Sequence, residues 1–164
     1  MTQTFLVTGG AGFVGQVVCR FLLRKGARVR TLDLVPLDAA DASAGIEHVL
    51  GDIRDAAAVR RAAEGADVVV HAAAALPLWE PAEIRSINVE GTRTVLQTAA
   101  ELRIPRVVYI SSTAVYGAPG RGPILETDVK EKSSEAIGGS EAVEQPGHTQ
   151  VSRPRKRDAP SDRT

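Results

Sequence analysis

"TGGAGFVG", residues 8–15, is the stretch on which the fold turns. It follows a short apolar run at 4–8 and opens a stretch with apolar residues at helical spacing. Those residues are Phe13, Val14, Val17, Val18, Phe21 and Leu22, and Gly26 closes the stretch. Glycines at 9, 12 and 15, set between a strand and a helix, suit one chemistry. A pyrophosphate must reach backbone N–H groups, and a Cβ would stand in its way. The helix N-terminus adds unpaired donors and the positive end of its dipole. The next strand candidate, "ARVRTLD" at 27–33, ends on Asp33, 24 positions after Gly9. A carboxylate there accepts hydrogen bonds from ribose hydroxyls and repels a 2′-phosphate, so the spacing predicts NAD rather than NADP.

Further strand signals lie at 46–52, 66–74 and 106–112, the middle one fully apolar as in the centre of a parallel sheet. Between them stand a helical pattern at 54–65, stopped by Gly65, and a longer one from Pro81 to Arg103. The longer one carries Ile84, Asn88, Gly91, Val95, Thr98 and Leu102 on one stripe. This alternation predicts an α/β fold, a Rossmann-like doubly wound parallel sheet of about five strands in the order 3-2-1-4-5, over residues 1–128. After Gly117 the periodicity stops. The remainder holds five of the nine prolines and the basic run "RPRKR" at 153–157, and residues 129–164 read as an irregular, disordered tail.

Composition narrows the function classes. The 164 residues carry 20 basic and 20 acidic side chains, so net charge favours neither nucleic acid nor a charged surface as partner. The basic run reads as a solvated tail rather than a nucleic-acid arm. Cys19, the single cysteine, excludes an intrachain disulfide and sits where a small buried residue is expected. No metal-ligand cluster stands out. The first residues lack a basic leader and no apolar run approaches a membrane span, so a cytoplasmic location is expected.

These motifs resemble those of the extended short-chain dehydrogenases/reductases, of the NAD-dependent epimerase/dehydratase type, from residue 4 to about 128. The resemblance implies an NAD site on the loop and helix start, Gly9, Gly12, Phe13, Val14 and Gly15, with Asp33 on the ribose. "GDIRD" at 51–55 resembles the segment in which Asp52 meets the adenine amino group and Ile53 lies against the ring; an acid there also suits a turn cap. "HAAA" at 71–74 resembles the stretch that lines the cofactor through Ala72, Ala73 and Ala74. In it His71 reads as a packed strand residue rather than a catalyst. "NVEGT" at 88–92 matches a helix motif that brings Asn88 toward the cofactor. "SSTAVYG" at 111–117 resembles the segment whose Ser111 lines the cofactor and whose Ser112 orients the substrate oxygen as a catalytic hydroxyl. Trp79 reads as a cover for an apolar patch near the site mouth.

A hydroxyl alone does little chemistry without an acid or base partner. In that family a Tyr-x-x-x-Lys pair on one helix face supplies it. The two tyrosines here are Tyr109 and Tyr116. The residues four before the lysines, Lys25, Lys130, Lys132 and Lys156, are Phe21, Glu126, Asp128 and Ser152, so the pair does not occur. The chain therefore reads as a truncated family member that binds NAD and lacks catalysis. The alternatives are a non-enzymatic NAD-binding sensor or partner protein, and an enzyme completed by a second chain. The pairing helix of the family's dimer would be missing too, so dimerisation is expected to be impaired, with Ile87 and Leu96 left facing its place.

Overall fold

The computed structural model describes residues 2–76 and 78–112, with Tyr116 and Leu125. The expected tail at 129–164 lies outside the described residues, as do Thr113 to Val115. Five parallel strands form one sheet: β1 (Thr4–Thr8), β2 (Arg28–Asp33), β3 (Glu47–Leu50), β4 (Val68–His71) and β5 (Arg106–Tyr109). Their order is β3-β2-β1-β4-β5, as the alternation predicts. The chain winds outward from β1 through β2 to β3, then crosses to β4 on the other side. A crevice opens where the winding reverses, above the C-terminal ends of β1 and β4.

Helices cover both faces, so the central strands β1 and β4 are largely buried, with Leu6, Val7, Val68, Val69 and Val70 in the core. On one side α1 (Phe13–Arg24) sets Cys19 against Val7, Val29, Val68 and Val70. Burial there pushes the Cys19 thiol up to about 12, which makes it an inert packing residue. A one-turn helix that the pattern did not predict, α2 (Ala39–Ser43), follows β2. Its Asp38 cap accepts from the Asp41 N–H, and the buried Asp41 takes the Arg20 guanidinium at 2.7 and 3.0 Å. On the other side α3 (Ala56–Ala63) is capped by Asp55. It packs its alanines against Leu6, Leu32 and Val69.

The long helical pattern from Pro81 is continuous but not uniform. It runs as α4 (Pro81–Arg85), a π-helical turn (Ser86–Gly91) and α5 (Thr92–Glu101). The stripe holds through Ile84, Asn88, Gly91, Val95 and Thr98, all buried. The expectation for Ile87 is overturned: it is only 7% exposed and belongs to the cluster that holds Ile53. The wide turn admits one extra residue and brings Ile87, Asn88 and Val89 inward together. Leu96 is half-buried. Among the described residues β5 is an edge strand, and no helix is long and apolar enough to cross a membrane.

Candidate nucleotide-binding site

The crevice is a cleft of about 320 Å³. Its floor is the glycine loop. Gly9 has φ +71° and donates to the Leu32 carbonyl at 2.8 Å; a Cβ on it would stand 2.7 Å from the Ala73 nitrogen. The loop thus lies directly against the segment that follows β4, an approach open only to glycine. α1 starts on Gly12 with no side-chain cap and no acidic residue in its first turn, so its leading donors are left for an anion.

One wall is Asp33 at the end of β2. Its Oδ2 accepts from the Ala11 N–H at 3.0 Å and its Oδ1 from the Val35 N–H at 3.2 Å. The carboxylate is tied to both loops beside it, and each oxygen keeps capacity to accept a further hydrogen bond. The opposite wall is Ala72, Ala73 and Ala74 after β4. Asn88 holds the end of that wall. Its Oδ1 accepts from the Ala75 N–H at 2.8 Å, and its Nδ2 donates to the Ala75 carbonyl at 3.5 Å.

Asp52 and Ile53 form the end of the cleft. Asp52 does cap its turn, accepting from the Arg54 N–H at 2.8 Å, and it also receives the Arg54 guanidinium at 2.5 to 3.0 Å. The side-chain bond from Arg54 holds its carboxyl below the usual carboxylate range. Arg54 reaches on to the Ser86 hydroxyl at 3.3 Å, joining this end of the cleft to the π-helical turn.

The family model for the 3-beta hydroxysteroid dehydrogenase/isomerase family matches residues 6–139. The chain belongs to this family. It is an extended short-chain dehydrogenase/reductase and carries that group's nucleotide-binding fold. It is 36% identical over 132 residues to a UDP-glucose 4-epimerase of Halalkalibacterium halodurans, covering 77% of this chain and 40% of that protein. Over 118 residues it is 36% identical to a 3-beta-hydroxysteroid dehydrogenase of Mycolicibacterium neoaurum, covering 67% of this chain and 32% of that protein. A solved short-chain dehydrogenase/reductase superfamily protein of Agrobacterium tumefaciens with bound NAD superposes with a TM-score of 0.76 at 31% identity. It covers 86% of this chain and 44% of that one. A dTDP-glucose 4,6-dehydratase of Streptomyces venezuelae, with NAD bound, gives 0.76 at 32%, covering 86% and 50%. The chain thus spans half or less of the length of each of these relatives.

Within this family fold, the structure gathers Gly9, Gly12, Asp33, Asp52, Ile53, Ala72, Ala73 and Ala74 around one cleft. Other expected site residues stand off it. Gly15 is buried under the loop, Phe13 and Val14 begin α1 with exposed side chains, and Asn88 acts on backbone. Ser111 and Ser112 follow β5, exposed, outside the cleft wall. Sequence reasoning passed over Leu34, Val35 and Ile87, which also line it, while Trp79 does stand at the cleft. The apolar pair directly after Asp33 was the signal that could have found the first two.

His71, at the end of β4, is 1% exposed, as a packed strand residue should be. Burial lowers its pKa from 6.5 to about 4. Protonation is therefore easier in the unfolded chain. This contribution to stability is whole above pH 6.5 and is lost as pH falls from 6.5 through about 4, to a total of about 3 kcal/mol. Urea unfolding from pH 7 down to 4.5 is expected to show the decline, and His71→Gln to flatten it. An unchanged slope in that variant would assign the decline to other groups.

Proposed function

We propose that this chain binds NAD in the cleft, as the nucleotide-binding half of an NAD-dependent epimerase/dehydratase-type oxidoreductase acting on a sugar nucleotide or related substrate. The observation that carries the reading is Asp33. Its carboxylate is fixed between the Ala11 and Val35 N–H groups, beside a glycine loop that a Cβ would fill. The residues fit the group. The loop Gly9–Gly12 and the start of α1, from Phe13 to Gly15, would receive the pyrophosphate, and Asp33 the ribose. Asp52 and Ile53 would hold the adenine, with Ala72, Ala73 and Ala74 along the dinucleotide and Ser111 meeting it only where it leaves the cleft past β5, and Asn88 would keep the Ala75 end in place. NAD, when bound, supplies a hydride acceptor. Ser112 would orient a substrate oxygen at the exit of β5.

The absence of Tyr-x-x-x-Lys from the 164 residues favours a chain that binds but does not turn over by itself, and a non-enzymatic NAD-binding role is the second reading on the same ground. The resemblance pairs the Pro81–Glu101 helix with the helix that would carry Tyr-x-x-x-Lys, so we expect impaired dimerisation. Chromatography showing a stable dimer would overturn that expectation.

Calorimetric titration tests the cofactor. NAD is expected to bind tighter than NADP by about 1–3 kcal/mol, since a 2′-phosphate would lie a few ångströms from a partly exposed carboxylate. Asp33→Arg should narrow or reverse the preference. Equal or tighter NADP binding by the native chain would sink the assignment.

A further inference from the structure

His71 makes hydrogen bonds through both ring nitrogens. Its Nδ1 lies 2.6 Å from the Thr8 hydroxyl at the end of β1, and its Nε2 lies 3.0 Å from the Thr92 hydroxyl at the start of α5. The Thr8 hydroxyl oxygen also accepts from the Ala73 N–H at 3.3 Å, and it shares the Ala72 N–H, at 3.3 Å, with the Thr8 main-chain carbonyl at 3.2 Å. A threonine hydroxyl has two lone pairs and one hydrogen. With both lone pairs taken by the two amides, the hydrogen goes to Nδ1. His71 is then neutral, carries its proton on Nε2, and donates to Thr92.

This arrangement does something for the cleft. Ala73 is the residue against which Gly9 packs, and Ala72 and Ala73 line the cleft opposite Asp33. Thr8 holds the start of that wall and Asn88 holds its end at Ala75. We propose that His71 is a positioning residue for the nucleotide: by accepting the Thr8 hydrogen it turns the Thr8 lone pairs toward Ala72 and Ala73 and fixes the wall that the nucleotide meets. The nucleotide part of this rests on the NAD reading above. A proton on Nδ1 would compete for the same lone pairs and leave the Thr8 hydrogen without an acceptor, so the clamp needs the neutral ring. The groups around His71 suit that state: Thr8 from β1, Thr92 from α5 and the Tyr109 ring from β5, its centroid 5.6 Å away. Among the described residues burial alone shifts its pKa, and no charged group contributes.

The test uses Thr8→Val, which keeps the shape and removes the hydroxyl, Thr8→Ser, which restores it, and His71→Leu. Nitrogen-15 NMR of the native chain at pH 7 should show the Nε2–H tautomer. Amide exchange at Ala73 should be at least tenfold faster in Thr8→Val and His71→Leu and close to native in Thr8→Ser. Calorimetry should show NAD bound about tenfold more weakly by Thr8→Val and near native by Thr8→Ser, at matched melting temperatures. An Nδ1–H tautomer, or unchanged Ala73 exchange in Thr8→Val, overturns the clamp. Faster exchange with unchanged NAD affinity overturns the positioning role. If the native chain binds no NAD, the cofactor reading fails and with it the role toward the nucleotide, while tautomer and exchange still decide the clamp.

Discussion

Gly15→Ala is expected to remove nucleotide binding and to destabilise the domain by about 3 kcal/mol, the upper end of ordinary overpacking. A Cβ on Gly15 would lie 2.0 Å from the Gly9 carbonyl oxygen and 2.8 Å from the Gly10 Cα. Both obstacles are backbone atoms, and neither can swing aside as a side-chain end would. α1 would have to lift off the glycine loop, and the lift would move the Gly9 carbonyl that accepts from the Gly12 N–H at 3.1 Å. The glycine loop would lose its shape in the same motion. Gly65 supplies the control. Its φ is +70° and a Cβ there meets nothing within 4 Å, so Gly65→Ala carries only left-handed strain, about 1–2 kcal/mol, and should leave the cleft intact. Urea melts of the two variants, with NAD titrations alongside, check the contrast. A Gly15→Ala chain within about 1 kcal/mol of native that still binds NAD would show that α1 does not need this close approach.

The purified chain is expected to give no turnover of a sugar nucleotide or hydroxysteroid above trace, however well it binds NAD. A positioned acid or base contributes about 10²–10⁴-fold, and the residue pair that provides it in the family is absent from the sequence. Neither tyrosine has a lysine four positions on. Tyr109 lies in β5, its ring centroid 5.6 Å from that of His71. His71 is buried with both nitrogens engaged and holds its proton too weakly to serve as an acid near neutral pH. The sequence thus offers Ser112 no Tyr-x-x-x-Lys to work with, and Ser112→Ala should change nothing measurable in an assay with substrate in excess. Steady turnover that depends on Ser112 would reveal a surrogate acid and restore the chain as an enzyme by itself.

Much of the fold and of the cleft is legible in the amino-acid sequence. The spacing of Gly9, Gly12 and Gly15 between an apolar run and a helical repeat, with Asp33 ending the next run, carries the β1–α1–β2 unit. Such signals are local: a turn that needs glycine, a strand of period two and a helix of period 3.6 each leave their mark within a few residues. The 3-2-1-4-5 order follows because right-handed crossovers leave few alternatives. Other features belong to the tertiary structure alone. Ile87 is buried because a π turn brings it inward to the cluster that also holds Ile53, and helical periodicity carries no sign of an inserted residue. Arg54 takes the Asp52 carboxylate and joins it to Ser86, 32 positions away, which no spacing rule connects. His71 reads in the sequence as one more strand residue, and its partners Thr8 and Thr92 come from β1 and α5. A hydrogen bond between distant segments depends on where the sheet and helices bring them, so the chain order specifies the elements and their packing decides which polar atoms meet.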